Sequence, residues 1–259
     1  MYTAEALRKG LRTSRFGSKI YTFDTIDSTN NCARALAGCW ADEGTVIIAE
    51  QQTAGRGRLG RSWLANPNEN LTFSIILRPK MAPEAINLLP LSVSVAVALA
   101  VEQVTGLRLE CKWPNDLLVN NKKVAGILLE GSFSKNTIDW IVIGIGINVN
   151  QTVFPTDLTP KATSLKLATN KDIDRTVLFR SVLESLERYY RSGNDSGFQS
   201  ILPDWIARTT MIDKTISVME NGTVVSGTVK GLSRDGGLIL RTEHSDRTFF
   251  AGDVTILGT

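Results

Sequence analysis

A chain of 259 residues, 42% hydrophobic and 21% charged, can hold one large folded domain, or one plus a small appendage, and falls outside the disordered and fibrous classes. Its formal charge of +3 is too small for bulk attraction to nucleic acid, so any electrostatic function has to come from local clusters.

Leu7 and Leu11, four apart, predict a short surface helix over Ala4 to Leu11. No apolar core follows Arg8, Lys9, Arg12 and Arg15, which argues against a secretory signal; an organelle transit peptide is the alternative. Lys19 to Phe23 predicts a strand. Asp27-Ser28-Thr29-Asn30 then offers N-caps for a helix through the alanine-rich Cys32 to Ala37. Further strands are expected at Thr45 to Ala49 and Leu71 to Leu77. Pro83-Glu84 opens a long helix that runs to about Gln103 and stops near Gly106. Asn87, Pro90, Ser92 and Ser94 punctuate its apolar stretch, Ala85 to Val101, which predicts a buried helix too short for a bilayer.

Strands follow at Leu107 to Lys112, Lys123 to Glu130 and Ile138 to Val149. The turns Asn120-Asn121-Lys122 and Ser134-Lys135-Asn136 join them as antiparallel hairpins. Two more helices are expected over Arg175 to Arg191 and Gly197 to Arg208. Beyond Asp213, Thr215 to Val218, Thr223 to Val229, Leu238 to Thr242 and Arg247 to Phe250 read as short strands. Asn221-Gly222, Asp235-Gly236-Gly237 and Gly252 separate them, predicting a small SH3-like β-barrel. The expected fold is α+β: a mixed, largely antiparallel sheet with helices packed on it over residues 1–211, and the barrel over 212–259.

Cys32, Cys39 and Cys111 form no Cys-x-x-Cys pair and leave an odd count, which points to reduced thiols in a cytoplasmic protein. The single histidine, His244, leaves little room for Ser–His or Cys–His catalysis or a histidine metal site.

The strongest local signal is Gly55-Arg56-Gly57-Arg58-Leu59-Gly60-Arg61, isolated between apolar strands and followed by Trp63. Glycines let backbone amides approach an anion, and arginines add permanent charge and forked donors. The alternative, an RNA-binding arginine–glycine tract, normally repeats in low-complexity sequence. In Lys112-Trp113-Pro114-Asn115-Asp116, an Asn–Asp pair beside a lysine has the chemistry to place a Mg²⁺–triphosphate, although alone it also reads as a simple turn. From Ile141 to Val149 the odd positions are large and apolar, whereas Gly144, Gly146 and Asn148 are small or polar. One face is therefore core and the other is stripped for close approach of a ligand, with a bulge as the alternative. Lys123-Val124-Ala125-Gly126-Ile127 repeats that theme.

Asp27-Ser28-Thr29-Asn30, Gln52 to Arg61, Lys112 to Asp116, Lys123 to Ile127 and Gly144-Ile145-Gly146-Ile147-Asn148, in this order and spacing, resemble the biotin protein ligases. The resemblance spans about Gly17 to Leu257. It implies formation of biotinyl-5′-AMP from biotin and ATP with Mg²⁺, then transfer of the biotinyl group to a lysine of a carboxylase's biotin carboxyl carrier domain. It further implies biotin contacts from Ser28, Thr29, Asn30, Gln52, Gly55, Arg56, Gly57, Arg58, Lys123, Gly126 and Gly144, with Gly126 and Gly144 as an apolar floor. Nucleotide contacts would come from Arg56, Arg58, Arg61, Trp63, Lys112, Asn115 and Asn148. Arg58 and Lys123 would stabilise charge at the reacting centre, and Asp116 would hold Mg²⁺ or accept a proton from the incoming amine. Too few residues precede Gly17 for a winged helix-turn-helix, so the expectation is a ligase-only form that binds neither DNA nor membrane. A homodimer is compatible with the resemblance. A lipoate or octanoate protein ligase is the alternative.

Overall fold

The computed structural model describes residues 2–135, 137–220 and 222–256. Its elements run α1 (Ala4–Arg8), β1 (Ile20–Ile26), α2 (Thr29–Gly38), β2 (Val46–Gln52), β3 (Leu71–Leu77), α3 (Leu88–Thr105), β4 (Glu110–Lys112), β5 (Asp116–Val119), β6 (Lys122–Ser134) and β7 (Thr137–Ile147). After these come α4 (Leu165–Thr169), α5 (Arg175–Ser196) and α6 (Leu202–Ile206). The last segment holds β8 (Thr215–Glu220), β9 (Thr223–Leu232), β10 (Leu238–Arg241), β11 (Asp246–Phe249) and β12 (Asp253–Ile256).

The first seven strands form one sheet in the order β1-β2-β3-β7-β6-β5-β4. Only β1 and β2 are parallel, with α2 as the crossover that a parallel pair requires; the other neighbours are antiparallel. Period-two patterning decides which face is which. Phe73 and Ile75 of β3, with Ile141, Ile143, Ile145 and Ile147 of β7, point into the main core. Ile47, Ile76 and Val142 point the other way, under Ala33 and Ala37 of α2.

α3 and α5 cover the first face. Leu88, Leu91, Val95, Ala98 and Val101 of α3 meet Leu178, Phe179, Val182 and Leu186 of α5 in that core. Each such large side chain contributes about 1.5–3 kcal/mol by leaving water. Pro83 starts a 3₁₀ turn over Pro83–Asn87, and Gly106 ends α3 at a positive φ of 76°. The Pro83–Thr105 span, 23 residues, is longer than its punctuated sequence suggests. By length and composition it is sufficient to cross a membrane, but 67% of its most apolar 18-residue stretch is buried inside the protein, because its apolar residues surround the helix rather than forming a stripe.

Several local expectations are corrected. Arg8 ends the first helix, and the expected Leu107–Lys112 strand is reduced to Glu110–Lys112. Asp116, expected in a turn, begins β5 instead. The expected helix from Gly197 breaks into a 3₁₀ turn at Phe198–Ile201 and the short α6, with Pro203 at its start. A short helix that the sequence pattern did not predict, α4, lies between β7 and α5, capped by the Ser164 side chain. Of the expected turns, Asn136 and Asn221 lie outside the described residues.

The second sheet is antiparallel throughout, in the order β11-β10-β9-β8-β12. Among the described residues β11 and β12 make no ladder with each other, so the expected barrel is an open SH3-like sheet; four-residue edge strands supply little stagger for closure. Ile216, Val218, Leu238, Leu240 and Phe249 form its inner face, continuous with the main core. The indole N–H of Trp113 donates to Gly236 O at 3.2 Å, docking this sheet beside the Lys112–Asp116 segment.

Glu187 of α5 ties down the N-terminal segment by accepting the amides of Ser14, Arg15 and Phe16 at 2.7, 2.6 and 3.0 Å. Burial works to raise this carboxyl, but the amides outweigh it and hold it below the ordinary glutamate range. Its stabilising contribution is complete above the unfolded-chain value of about 4.3 and is lost as pH falls through the lower folded value. Urea titrations should show Glu187→Gln destabilised by about 2 kcal/mol at neutral pH, with a shallower loss of stability below about pH 4 than the parent chain.

Candidate active site

The site lies on the sheet face that α2 only partly covers. Past Ile76 and Val142, this face continues as Thr72 and Ser74 on β3, Gly144 and Gly146 on β7, and Gly126 on β6. Gly126 and Gly146 are direct cross-strand partners, and the ladders run through Gly144 and Gly146 without a register shift, so these glycines mark no bulge. They mark close approach instead. A Cβ on Gly146 would lie 2.3 Å from the Trp63 indole, and one on Gly126 would lie 3.1 Å from the same ring and 3.0 Å from the Lys123 side chain. A Cβ on Gly144 would lie 2.2 Å from Asn30 Oδ1. The expectation of an open apolar floor is therefore corrected: Asn30 covers Gly144, and Trp63 lies on Gly126 and Gly146.

The start of α2 brings a polar cluster to the same face. Ser28 is its N-cap, although no hydrogen bond from its side chain closes the cap, and Ser28, Thr29 and Asn30 are all buried. Gln52 Oε1 accepts the Thr29 amide at 2.7 Å and lies 3.0 Å from the Thr29 hydroxyl. Ser74 Oγ lies 2.8 Å from Thr29 Oγ1 and 2.6 Å from Asn30 Oδ1. Asn30 Nδ2 donates to Glu130 Oε2 at 2.8 Å.

The arginine–glycine loop arches over this end of the sheet. Gly57 N donates to Arg61 O at 2.6 Å, and Trp63 N to Gly55 O at 3.0 Å, making the loop a self-paired arch. Leu59 and Gly60 turn it at positive φ, 53° and 73°. A side chain on Gly55 would strike Trp63 O at 2.5 Å. The three arginines diverge. Arg56 reaches Asn31 Oδ1 at 2.6 Å and both Glu130 oxygens at 3.3 Å. Arg58 donates to Asn115 Oδ1 at 3.3 Å, and Arg61 pairs with Asp253 of the second sheet. Burial lowers the Arg58 guanidinium from its ordinary range, opposed by Asp253 and Asp116, yet it stays charged.

Beneath the loop, Lys123 and Asp116 pair at 2.6 Å, and Lys123 Nζ also stands 5.6 Å from the centre of the Trp63 ring. Asn115 Nδ2 donates to Ile127 O at 2.5 Å, fixing its Oδ1 toward Arg58. The buried indole N–H of Trp63 finds no hydrogen-bond partner among the described residues. Arg58, Lys123, Asp116, Asn115 and Trp63 thus converge. Arg56 joins the polar cluster of α2. Arg61 is diverted to the second sheet, and Asn148 is buried with its amide donating to Thr163 O at 3.0 Å, as a strut for the following loop. Lys112 lies opposite Asp116 on the edge hairpin.

Sequence reasoning missed Ser74, Glu130 and Asp253. The first two were signalled only as polar residues interrupting apolar strands on the face shared with the glycines; Asp253 sits in a segment with no distinguishing pattern.

Residues 22–148 match the Biotin/lipoate A/B protein ligase family, and residues 212–257 match the Biotin protein ligase C terminal domain. The bifunctional ligase/repressor BirA of Bacillus subtilis is 34% identical over 252 residues, covering 96% of this chain and 78% of that protein. The biotin–[acetyl-CoA-carboxylase] ligase of Paracoccus denitrificans is also 34% identical, over 88% of this chain and 96% of its own length. Among solved structures, biotin protein ligase from Aquifex aeolicus in complex with biotin and ATP superposes with a TM-score of 0.81 at 31% identity, covering 93% of this chain and all of that one. On sequence and fold together, the chain belongs to the biotin protein ligase family.

Proposed function

We propose that this chain joins biotin to ATP and then passes the biotinyl group to a lysine of a carboxylase's biotin carboxyl carrier domain. The observation that carries the reading is the convergence of Arg58, Lys123 and Asp116 at the edge of the Gly126–Gly146 floor, next to the polar cluster of Thr29, Asn30 and Gln52. That arrangement supplies a polar end for the ureido ring and a cationic end for the carboxylate and α-phosphate, with the glycine strip between them.

In the first half-reaction a carboxylate oxygen of biotin attacks the α-phosphorus of ATP, and pyrophosphate leaves. Lys123 is the cation that receives the carboxylate, which takes the place held by Asp116 in the ligand-free pair. Arg58 neutralises charge that accumulates on the α-phosphate. Trp63 and Asn115 flank the nucleotide, with Lys112, Asn148, Arg56 and Arg61 farther out. Mg²⁺ accompanies the triphosphate and screens its charge. Asp116 with Asn115 suits such an ion, which keeps most of its water and needs only one or two protein oxygens.

In the second half-reaction the ε-amine of the acceptor lysine attacks the acyl carbon and AMP departs. No protein nucleophile is required. Consistent with that, burial pushes the Cys111 thiol up to about 12, far from a reactive thiolate. The free thiols of Cys32, Cys39 and Cys111 suit a reducing compartment such as the cytoplasm. We assign residues 1–211 to biotin and ATP binding and 212–259 to the SH3-like unit, and favour biotin over lipoate because the latter segment matches the biotin ligases.

Biotin-dependent exchange of pyrophosphate into ATP tests the reading: the chain should support exchange with biotin and none with lipoate. Arg58→Ala and Lys123→Ala should each lower the rate about 10²–10³-fold, the scale for losing one preorganised donor at a developing charge. Gly144→Ala should raise KM for biotin more than KM for ATP, since the new methyl displaces Asn30; equal effects on both would remove Gly144 from the biotin side. Limited proteolysis near Leu59, which is 71% exposed, should be slowed by biotinyl-5′-AMP, because closure over the adenylate excludes water.

A further inference from the structure

Asp253 is remote in the chain from the glycine floor, yet it is the carboxylate through which the second sheet meets the cationic end of the site. It opens β12, opposite Met219 of β8. Gly252 before it has a φ of 140°, and a Cβ there would lie 2.6 Å from the Val218 side chain, so the chain enters β12 tight against β8. Val254 after it is buried in the core that the second sheet shares with the first. Asp253 is thereby held on both sides, with its carboxylate against Arg61.

That carboxylate acts on two arginines of the loop. Burial lowers the Arg58 guanidinium, and of the carboxylates that oppose burial Asp253 acts more strongly than Asp116. The two arginines are otherwise unlike. Arg58 is half-buried and has a neutral partner, Asn115 Oδ1 at 3.3 Å, so it meets an anion without first giving one up. Arg61 has a charged partner, and its side chain is 66% exposed against 28% for Asp253. An ion pair so open to solvent is weak. A polyanion breaks it readily, and it re-forms readily once the polyanion has gone.

We propose that Asp253 is a positioning residue for the loop: the anion that the outer phosphates of ATP displace from Arg61, and that takes Arg61 back as pyrophosphate leaves. This rests on the proposed function, since it assigns Arg61 to the phosphates that depart. Recapture weakens the hold on pyrophosphate without touching Arg58, which stays with the α-phosphate of the adenylate. The second sheet thus favours release of the first product while the second is retained. A carboxylate in this place costs affinity for ATP, and its removal strengthens polyphosphate binding.

Calorimetry with inorganic pyrophosphate on the full chain compares the parent with Asp253→Asn, Arg61→Met and the double variant. Asp253→Asn should bind pyrophosphate about three- to tenfold more tightly, the scale of a solvent-exposed ion pair plus the repulsion of one carboxylate. KM for ATP in biotin-dependent exchange should fall by a similar factor, with KM for biotin unchanged. Arg61→Met should bind pyrophosphate more weakly than the parent, and adding Asp253→Asn to it should change little, because the displacement has lost its cation. Equal or weaker pyrophosphate binding in Asp253→Asn would overturn the proposal, as would the same gain with and without Arg61.

The parent chain alone supplies a second readout. The NMR signal of the Asp253 carboxyl carbon should move as pyrophosphate is added, since Arg61 leaves it. A signal unmoved by pyrophosphate would overturn the displacement even if the variants fail to fold. Pyrophosphate binding needs no biotin. A chain that shows the Asp253 response but no biotin-dependent exchange would therefore count against the proposed function and leave the displacement standing.

Discussion

Everything at this site depends on a strand surface that gives up its side chains. Gly126, Gly144 and Gly146 occupy the positions where the sheet turns from packing α2 to lying directly under Asn30 and Trp63, and nothing larger fits there. The same alternation that buries Ile141, Ile143, Ile145 and Ile147 on the opposite face forces the glycines onto this one. Glycines weaken a strand. Here the weakness is offset because β7 is central, hydrogen-bonded to β3 on one side and β6 on the other. A destabilising composition is thus tolerated where the ladder is strongest.

Upon that floor the chemistry divides by origin. Residues at the start of α2 and on β2, β3 and β6 form a polar cluster whose hydrogen bonds are short, buried and mutually oriented. The cationic groups come from the loop after β2 and from the strand starts near Asp116 and Lys123, where the side chains are half-exposed. Rigid neutral recognition and adaptable charge therefore sit at opposite ends of the strip. This arrangement suits a substrate with a fixed ring and a carboxylate that changes charge state during reaction.

Much of this was legible in the sequence. Alternation from Ile141 onward gives the buried face and the stripped face, and Gly55 to Arg61 stands out because arginine and glycine alternate between apolar strands. Burial of the long α3 followed from its apolar composition. Less legible was anything requiring a partner distant in the chain. Glu130 looks like an ordinary charged residue near the end of an apolar run until Asn30 and Arg56 are seen against it. Arg61 reads as an unpaired cation until Asp253, 192 residues away, is seen beside it. Asp116 was misplaced into a turn because Pro114 and Asn115 speak for a turn locally, whereas pairing with β6 draws it into a strand. Closure of the last sheet likewise depends on which edge strands meet, and no local pattern encodes that.

The three arginines of the loop each hold a different region of the protein: Arg56 the β6 carboxylate, Arg58 the Asn115 amide and Arg61 the second sheet. The outer two are exposed ion pairs, which solvent screens and which add little individual stability. A loop fastened this way is held by number, not by strength. An arriving polyanion can trade places with one fastening at a time, so the arch never has to detach all at once. The passage from ligand-free to ligand-bound loop is then a sequence of small exchanges between anions, with the glycines supplying the hinge at each step.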